Sequence, residues 1–102
     1  MEIEAIRQKW KIGQWEISAH ARKRMGQRQI TVDELGQVIM EGEIIENYPD
    51  DKPYPSCLIL GKMSNSFPLY VVCALGDGVH VITAHWLDPE KWLDPKTRRE
   101  KT

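Results

Sequence analysis

Cysteine, phenylalanine and long apolar runs are what this 102-residue chain has least of. Its two cysteines, Cys57 and Cys73, make neither a disulfide framework nor a CxxC metal knuckle. Each sits within an apolar run, where a free cysteine is usually a small core residue. The longest apolar stretch, Leu69 to Leu75, is far shorter than the roughly 20 residues of a membrane span. The segment Met1 to Lys11 mixes acids and bases and has no apolar signal core, so a cytoplasmic location is expected. There is no internal repeat, low-complexity tract or Ser/Gly linker. No phosphate-binding glycine loop, nucleophile elbow or zinc-hydrolase motif occurs, and no HxxxH or HxH pairing suggests a metal. No cofactor is implied.

What is present is an ordinary globular composition, 41% apolar and 28% charged, with a net charge of −1. That balance conceals a division along the chain. Residues 1–30 carry a net +4, residues 31–60 a net −6 and residues 61–102 a net +1. A charge distribution of this kind steers an anionic partner to one face, or else is plain solvated helix surface.

Punctuation places the elements. Ile3, Ile6 and Trp10 give a short amphipathic N-terminal helix that Gly13 ends. Gln14 to Ile17 reads as a short strand, and Ser18 is a helix N-cap for Ala19 to Gln29. Thr31 and Glu34 form a capping box, Ile30 can staple onto Leu35, and Gly42 stops that second helix after a stripe of Val32, Leu35, Val38 and Ile39. From Glu43 the pattern turns to strands. Ile44 and Ile45 open one, followed by Ser56 to Lys62, Pro68 to Leu75 and Val79 to Trp86. Short turns at Ser64–Asn65–Ser66 and Gly76–Asp77–Gly78 make the last three antiparallel neighbours. Both parities are apolar, so both sheet faces are expected to be covered. The expected fold is α+β, N-terminal helices on an antiparallel sheet of four to five strands. One domain over residues 1–95 and a disordered charged tail over 96–102 complete the reading.

The segment from Ser18 to Arg28 is the most informative. His20, Arg24 and Arg28 fall four residues apart, on one helix face, while only Ala21 and Met25 supply apolar residues. A row of like charges costs a few tenths of a kcal/mol per pair unless an anion lies across it. A phosphate there would meet guanidinium donors and a titratable imidazole together. The alternative is that Arg24 and Arg28 pair with acids of the middle segment. His80 and His85, five residues apart in the last strand, point to opposite faces under strict alternation. His85 is the functional candidate of the two, being nearer the strand end. Tyr48 and Tyr54 flank the acidic turn at Asp50–Asp51 and could stack a base or fasten the turn.

The order of these motifs resembles a bacterial family known as domain-of-unknown-function family 4258. The resemblance rests on Ile17-Ser-Ala-His-Ala-Arg-Lys-Arg-Met25, Arg28-Gln-Ile-Thr-Val32, Gly42-Glu-Ile-Ile-Glu46, Tyr48 to Ser56, Leu58 to Gly61, Val81-Ile-Thr-Ala-His85 and Asp88 to Trp92. It implies a fold similar to RelE-type ribonuclease toxins, and a small antitoxin-like partner with a zinc-finger segment. RNA as the substrate follows from the resemblance alone. The position of His85 is commonly Tyr in that family, a departure that bears on any chemistry there.

The expected function is therefore a metal-independent endoribonuclease of a toxin–antitoxin pair, in which a ribose 2′-hydroxyl attacks the adjacent phosphate. His20, Arg24, Arg28 and His85 are the catalytic candidates: imidazoles as acid and base, guanidiniums on the phosphorane. Arg22, Lys23, Tyr54 and Lys62 are the substrate-binding candidates. The competing expectation is a non-catalytic binding module or an inactive toxin relative, motivated by a pI of 6.3, low for an RNA binder.

Overall fold

The computed structural model describes residues 1–62, 67–88, 90 and 92–98. Three helices come first: α1 (Ile3–Lys11), α2 (Ala19–Arg28) and α3 (Val32–Glu41), with β1 (Trp15–Ile17) between the first two. Then follow β2 (Glu43–Tyr48), β3 (Ser56–Lys62), β4 (Pro68–Leu75), β5 (Val79–Trp86), β6 (Trp92–Asp94) and β7 (Thr97–Arg98).

The helices start and stop where the sequence dictates. The Ser18 hydroxyl accepts from the Ala21 N–H at 3.0 Å, and Gln29 ends α2 in the left-handed region. Thr31 and Glu34 close a full capping box on α3. At the other end of α3, Arg7 of α1 donates from Nε to the Ile39 carbonyl at 2.9 Å and from Nη2 to the Gly42 carbonyl at 2.8 Å. A guanidinium there satisfies carbonyls that have no intrahelical partner and opposes the negative end of the helix dipole. Gly42 has to be glycine, because a Cβ would lie 2.4 Å from the Val38 carbonyl and 2.5 Å from that of Leu60.

The five-stranded sheet has the order β1-β5-β4-β3-β2. The meander from β2 to β5 is antiparallel as expected, but β1 runs parallel to β5, so the sheet is mixed. The physical reason is the α2–α3 crossover between β1 and the rest, which lets the short strand return in either direction. All three helices lie on one face. Leu35, Val38 and Ile39 of α3, Ile6 of α1, and Ala21 and Met25 of α2 meet Ile59, Val71, Cys73, Val79, Val81 and Ala84. Fully burying a side chain such as Leu35 or Ile39 contributes about 1.5–3 kcal/mol. Cys57 and Cys73 are paired across β3 and β4, free and buried, as small core residues.

Leu58, Leu60 and Tyr70 form a second, smaller apolar cluster on the opposite face. The β6–β7 hairpin is fastened there: Tyr70 Oη donates to the Pro95 carbonyl at 2.7 Å, Arg98 bonds Glu46 at 2.8 Å, and Lys96 pairs with Glu43 at 2.7 Å. The segment expected as a charged tail thus begins inside this hairpin, and residues 99–102 lie outside the described residues, as does the Ser64–Asn65–Ser66 turn. No described helix is long and apolar enough to cross a membrane.

Candidate active site

One irregularity decides what the last strand can do. Val72 pairs with Thr83 while Cys73 pairs with Val81, which leaves Ile82 as the extra residue of a β-bulge. Strict alternation is interrupted there. Val79, Val81 and Ala84 face the helices, while His80, Thr83 and His85 face the opposite side with their partners Ala74, Val72 and Tyr70. The two histidines therefore share a face, against the expectation from their spacing. They remain at different ends of it, about 16 Å apart along the strand at ~3.3 Å per residue.

β1 covers only Val79 to Val81, so among the described residues no strand lies beside the outer edge of the second half of β5. Arg28, the last residue of α2, occupies that edge. Its Nη1 donates to the Ala84 carbonyl at 2.7 Å, and its own carbonyl accepts from Trp86 Nε1 at 2.9 Å. This reciprocal clamp satisfies an edge carbonyl that would otherwise be orphaned. It also carries the guanidinium to the open face of the sheet. There Arg28, Thr83, His85, Trp86 and Asp88 line a cleft of about 350 Å³. His85 is held against Tyr70 by parallel stacking, with ring centroids 5.2 Å apart. The Asp88 carboxylate accepts from the Glu90 N–H at 2.9 Å, which fixes the turn at the cleft's rim.

His20, Arg22, Lys23 and Arg24 are exposed on α2. Arg24 and His20 lie one and two turns behind Arg28, about 6 and 12 Å along the axis. They approach the cleft but do not line it. Among the described residues, Arg24 bonds only Gln27, at 3.2 Å. No carboxylate of the described residues pairs with any of the four basic side chains of α2, so the alternative, a pairing of Arg24 and Arg28 with middle-segment acids, is not found there. Glu43 and Glu46 pair instead with Lys96 and Arg98. Arg22 falls on the other flank of the buried Ala21–Met25 stripe, roughly 160° from Arg24 around the helix at 3.6 residues per turn.

Tyr54 and Lys62 are elsewhere. Tyr54 stacks on His80 at 5.2 Å and packs flat over Gly76, whose missing Cβ would sit 2.6 Å from the ring. His80 is bracketed by Glu16 at 2.6 Å and Asp77 at 3.0 Å. Burial alone would lower its pKa, but the two carboxylates outweigh this and raise it. Asp77 is held below the usual carboxylate range, chiefly by its hydrogen bond to His80. With both ring nitrogens engaged, His80 ties β1 to the β4–β5 turn. Lys62 lines a separate cleft of about 610 Å³ with Glu43, Gly61 and Lys96, two strands from β5.

A model of the family named DUF4258, a domain of unknown function, matches residues 17–86. The chain belongs to that family. The matched span begins at Ile17, just before the basic helix, and ends at Trp86, the residue that clamps Arg28, so the DUF4258 region holds all of the cleft but Asp88. No curated protein and no solved structure matches the chain. Among the described residues there is no group of three or more His, Cys, Asp or Glu placed to hold a metal ion.

Sequence reasoning missed Thr83, Trp86 and Asp88 as cleft residues. The bulge that turns Thr83 toward the cleft has no composition signal, and Trp86 reads in the sequence as a residue that folds the following segment back onto the sheet, whereas it packs partly against the core.

Proposed function

We infer that this DUF4258 domain is an endoribonuclease that cleaves RNA by attack of a 2′-hydroxyl on the adjacent phosphorus. The observation that carries the reading is the meeting of Arg28 and His85 in one cleft beside a helix whose basic side chains have no carboxylate partners among the described residues. The chemistry needs a proton acceptor at the 2′-oxygen, a donor at the leaving 5′-oxygen, and positive charge on the equatorial phosphoryl oxygens. An imidazole titrates near neutral pH and serves as acceptor or donor, which is the role of His85. A guanidinium presents planar N–H donors to two phosphoryl oxygens at once, which is the role of Arg28, already fixed through Ala84. The 2′-oxygen bonds to phosphorus as the 5′-oxygen leaves with a proton, giving a 2′,3′-cyclic phosphate and a free 5′-hydroxyl.

The toxin-type architecture and an antitoxin-like protein covering the cleft belong to the same proposal. The test is product chemistry. Purified protein incubated with an unstructured RNA oligonucleotide should release fragments ending in a 2′,3′-cyclic phosphate, and a 2′-deoxy linkage should resist. Intact RNA after incubation with folded protein would instead favour a non-catalytic binding module, the reading to which the modest pI of 6.3 also points.

A further inference from the structure

The cleft of about 350 Å³ is short, yet the row of side chains beside it continues for two further turns of helix, with Arg24 one turn behind Arg28 and His20 two. We propose that α2 is a track for a single RNA strand, which lies along the row Arg28, Arg24, His20 and delivers one phosphate to the cleft. The inference rests on the endoribonuclease reading for its choice of RNA.

The row has three properties that a track needs. Successive members are four residues apart, so they rise about 6 Å per step along the axis. That step is commensurate with the separation of neighbouring phosphates along one polynucleotide strand, so the three side chains meet three consecutive phosphates rather than crowding one. The row is also uncompensated. α2 contains no acidic residue, and none of its basic side chains forms an ion pair among the described residues. Finally, it is anchored at the end that matters. Arg28 is pinned by Ala84 and Trp86 at the cleft, whereas Arg24 is exposed and, among the described residues, held only by Gln27. A pinned guanidinium at the reacting phosphate and adaptable side chains behind it separate positioning from grip.

The occupant is a single strand because of what the cleft would do. In-line attack places the 2′-oxygen, the phosphorus and the 5′-oxygen on one line, and an A-form duplex holds its backbone away from that geometry. A single row along one helix also meets the phosphates of one strand only. Proteins that bind unpaired strands commonly combine a cationic path with accessible π surface, which His85 and Trp86 provide at the cleft.

The experiment is fluorescence anisotropy on a 2′-O-methyl oligouridine, which the proposed reaction cannot cleave, titrated at several salt concentrations. A track that engages two arginines and His20 predicts a slope of log affinity against log salt between about −1.4 and −2, at ~0.7 per phosphate for a single strand. Arg24→Ala should reduce the slope by about 0.7, Arg24→Lys should restore it, and Lys11→Ala on α1 should leave it unchanged. A complementary duplex of the same length should bind several-fold more weakly. An unchanged slope in Arg24→Ala, duplex binding as tight as the single strand, or no binding by the folded protein would each overturn the track. Tight single-strand binding with the predicted slopes, but no cleavage of the unmodified strand, supports the track and removes the nuclease reading.

Discussion

Tyr70 and His85 face each other across β4 and β5 and stack with their ring planes 10° apart, while the Tyr70 hydroxyl is spent on the Pro95 carbonyl. The imidazole at the candidate site is therefore positioned by a ring that is itself pinned by the C-terminal hairpin. Burial raises the Tyr70 pKa, and the nearby Asp94 charge adds to that. Tyr70 thus keeps its proton and its hydrogen bond throughout the pH range in which an imidazole titrates. Tyr70→Phe keeps the stacking and loses the bond. It should cost about 0.5–1.5 kcal/mol in urea unfolding and leave the cleft chemistry within a few-fold of wild type.

Arg7 makes a sharper stability prediction. Arg7→Ala strips two charge-assisted hydrogen bonds from the C-terminal end of α3. The expected loss is about 1.5–3 kcal/mol by chemical denaturation, against less than about 0.5 kcal/mol for Arg24→Ala on the exposed face of α2. Equal, small losses for both would contradict the capping role.

Gly42 tests how closely α3 approaches the sheet. With backbone oxygens 2.4 and 2.5 Å from the position of an added Cβ, Gly42→Ala forces the helix end away from β3. A destabilisation of about 1–3 kcal/mol is expected. A neutral result would mean that the helix end shifts freely.

His80 links stability to pH. Its folded-state pKa is raised above the ordinary imidazole value by Asp77 and Glu16, against the opposing effect of burial. Its contribution is therefore fully present below the unfolded value near 6.5 and is lost as pH rises through the folded value. Urea midpoints measured from about pH 5.5 to 8.5 should fall across that window, and Glu16→Gln should flatten the fall. An identical pH profile in the variant would show that the bracket has no energetic weight.

Local signals were legible in the sequence, and long-range geometry was not. The Thr31–Glu34 capping box and the Ser18 cap can be read because each acts within four residues and through backbone groups that any helix end exposes, whereas Gly42, although it stands where the helix stops, is required in part by the distant Leu60 carbonyl. The row of His20, Arg24 and Arg28 is equally local. The bulge at Ile82 is different: it follows from how β5 must pair with β4 at both ends, so no residue in the strand announces it. Its consequence is large, because it turns both His80 and His85 to the open face. The parallel docking of β1 and the reach of Arg28 to the edge of β5 beyond β1 are likewise products of topology.

The central claim is that Arg28 and His85 act together on one phosphate. Single-turnover cleavage of an RNA oligonucleotide by wild type, Arg28→Ala, His85→Ala and the double variant, with folding checked by circular dichroism, tests it directly. The account predicts losses of about 10²–10³-fold for each single change, by analogy with removal of one transition-state donor, and a double loss well short of their product. Wild-type rates in either folded single variant would contradict it.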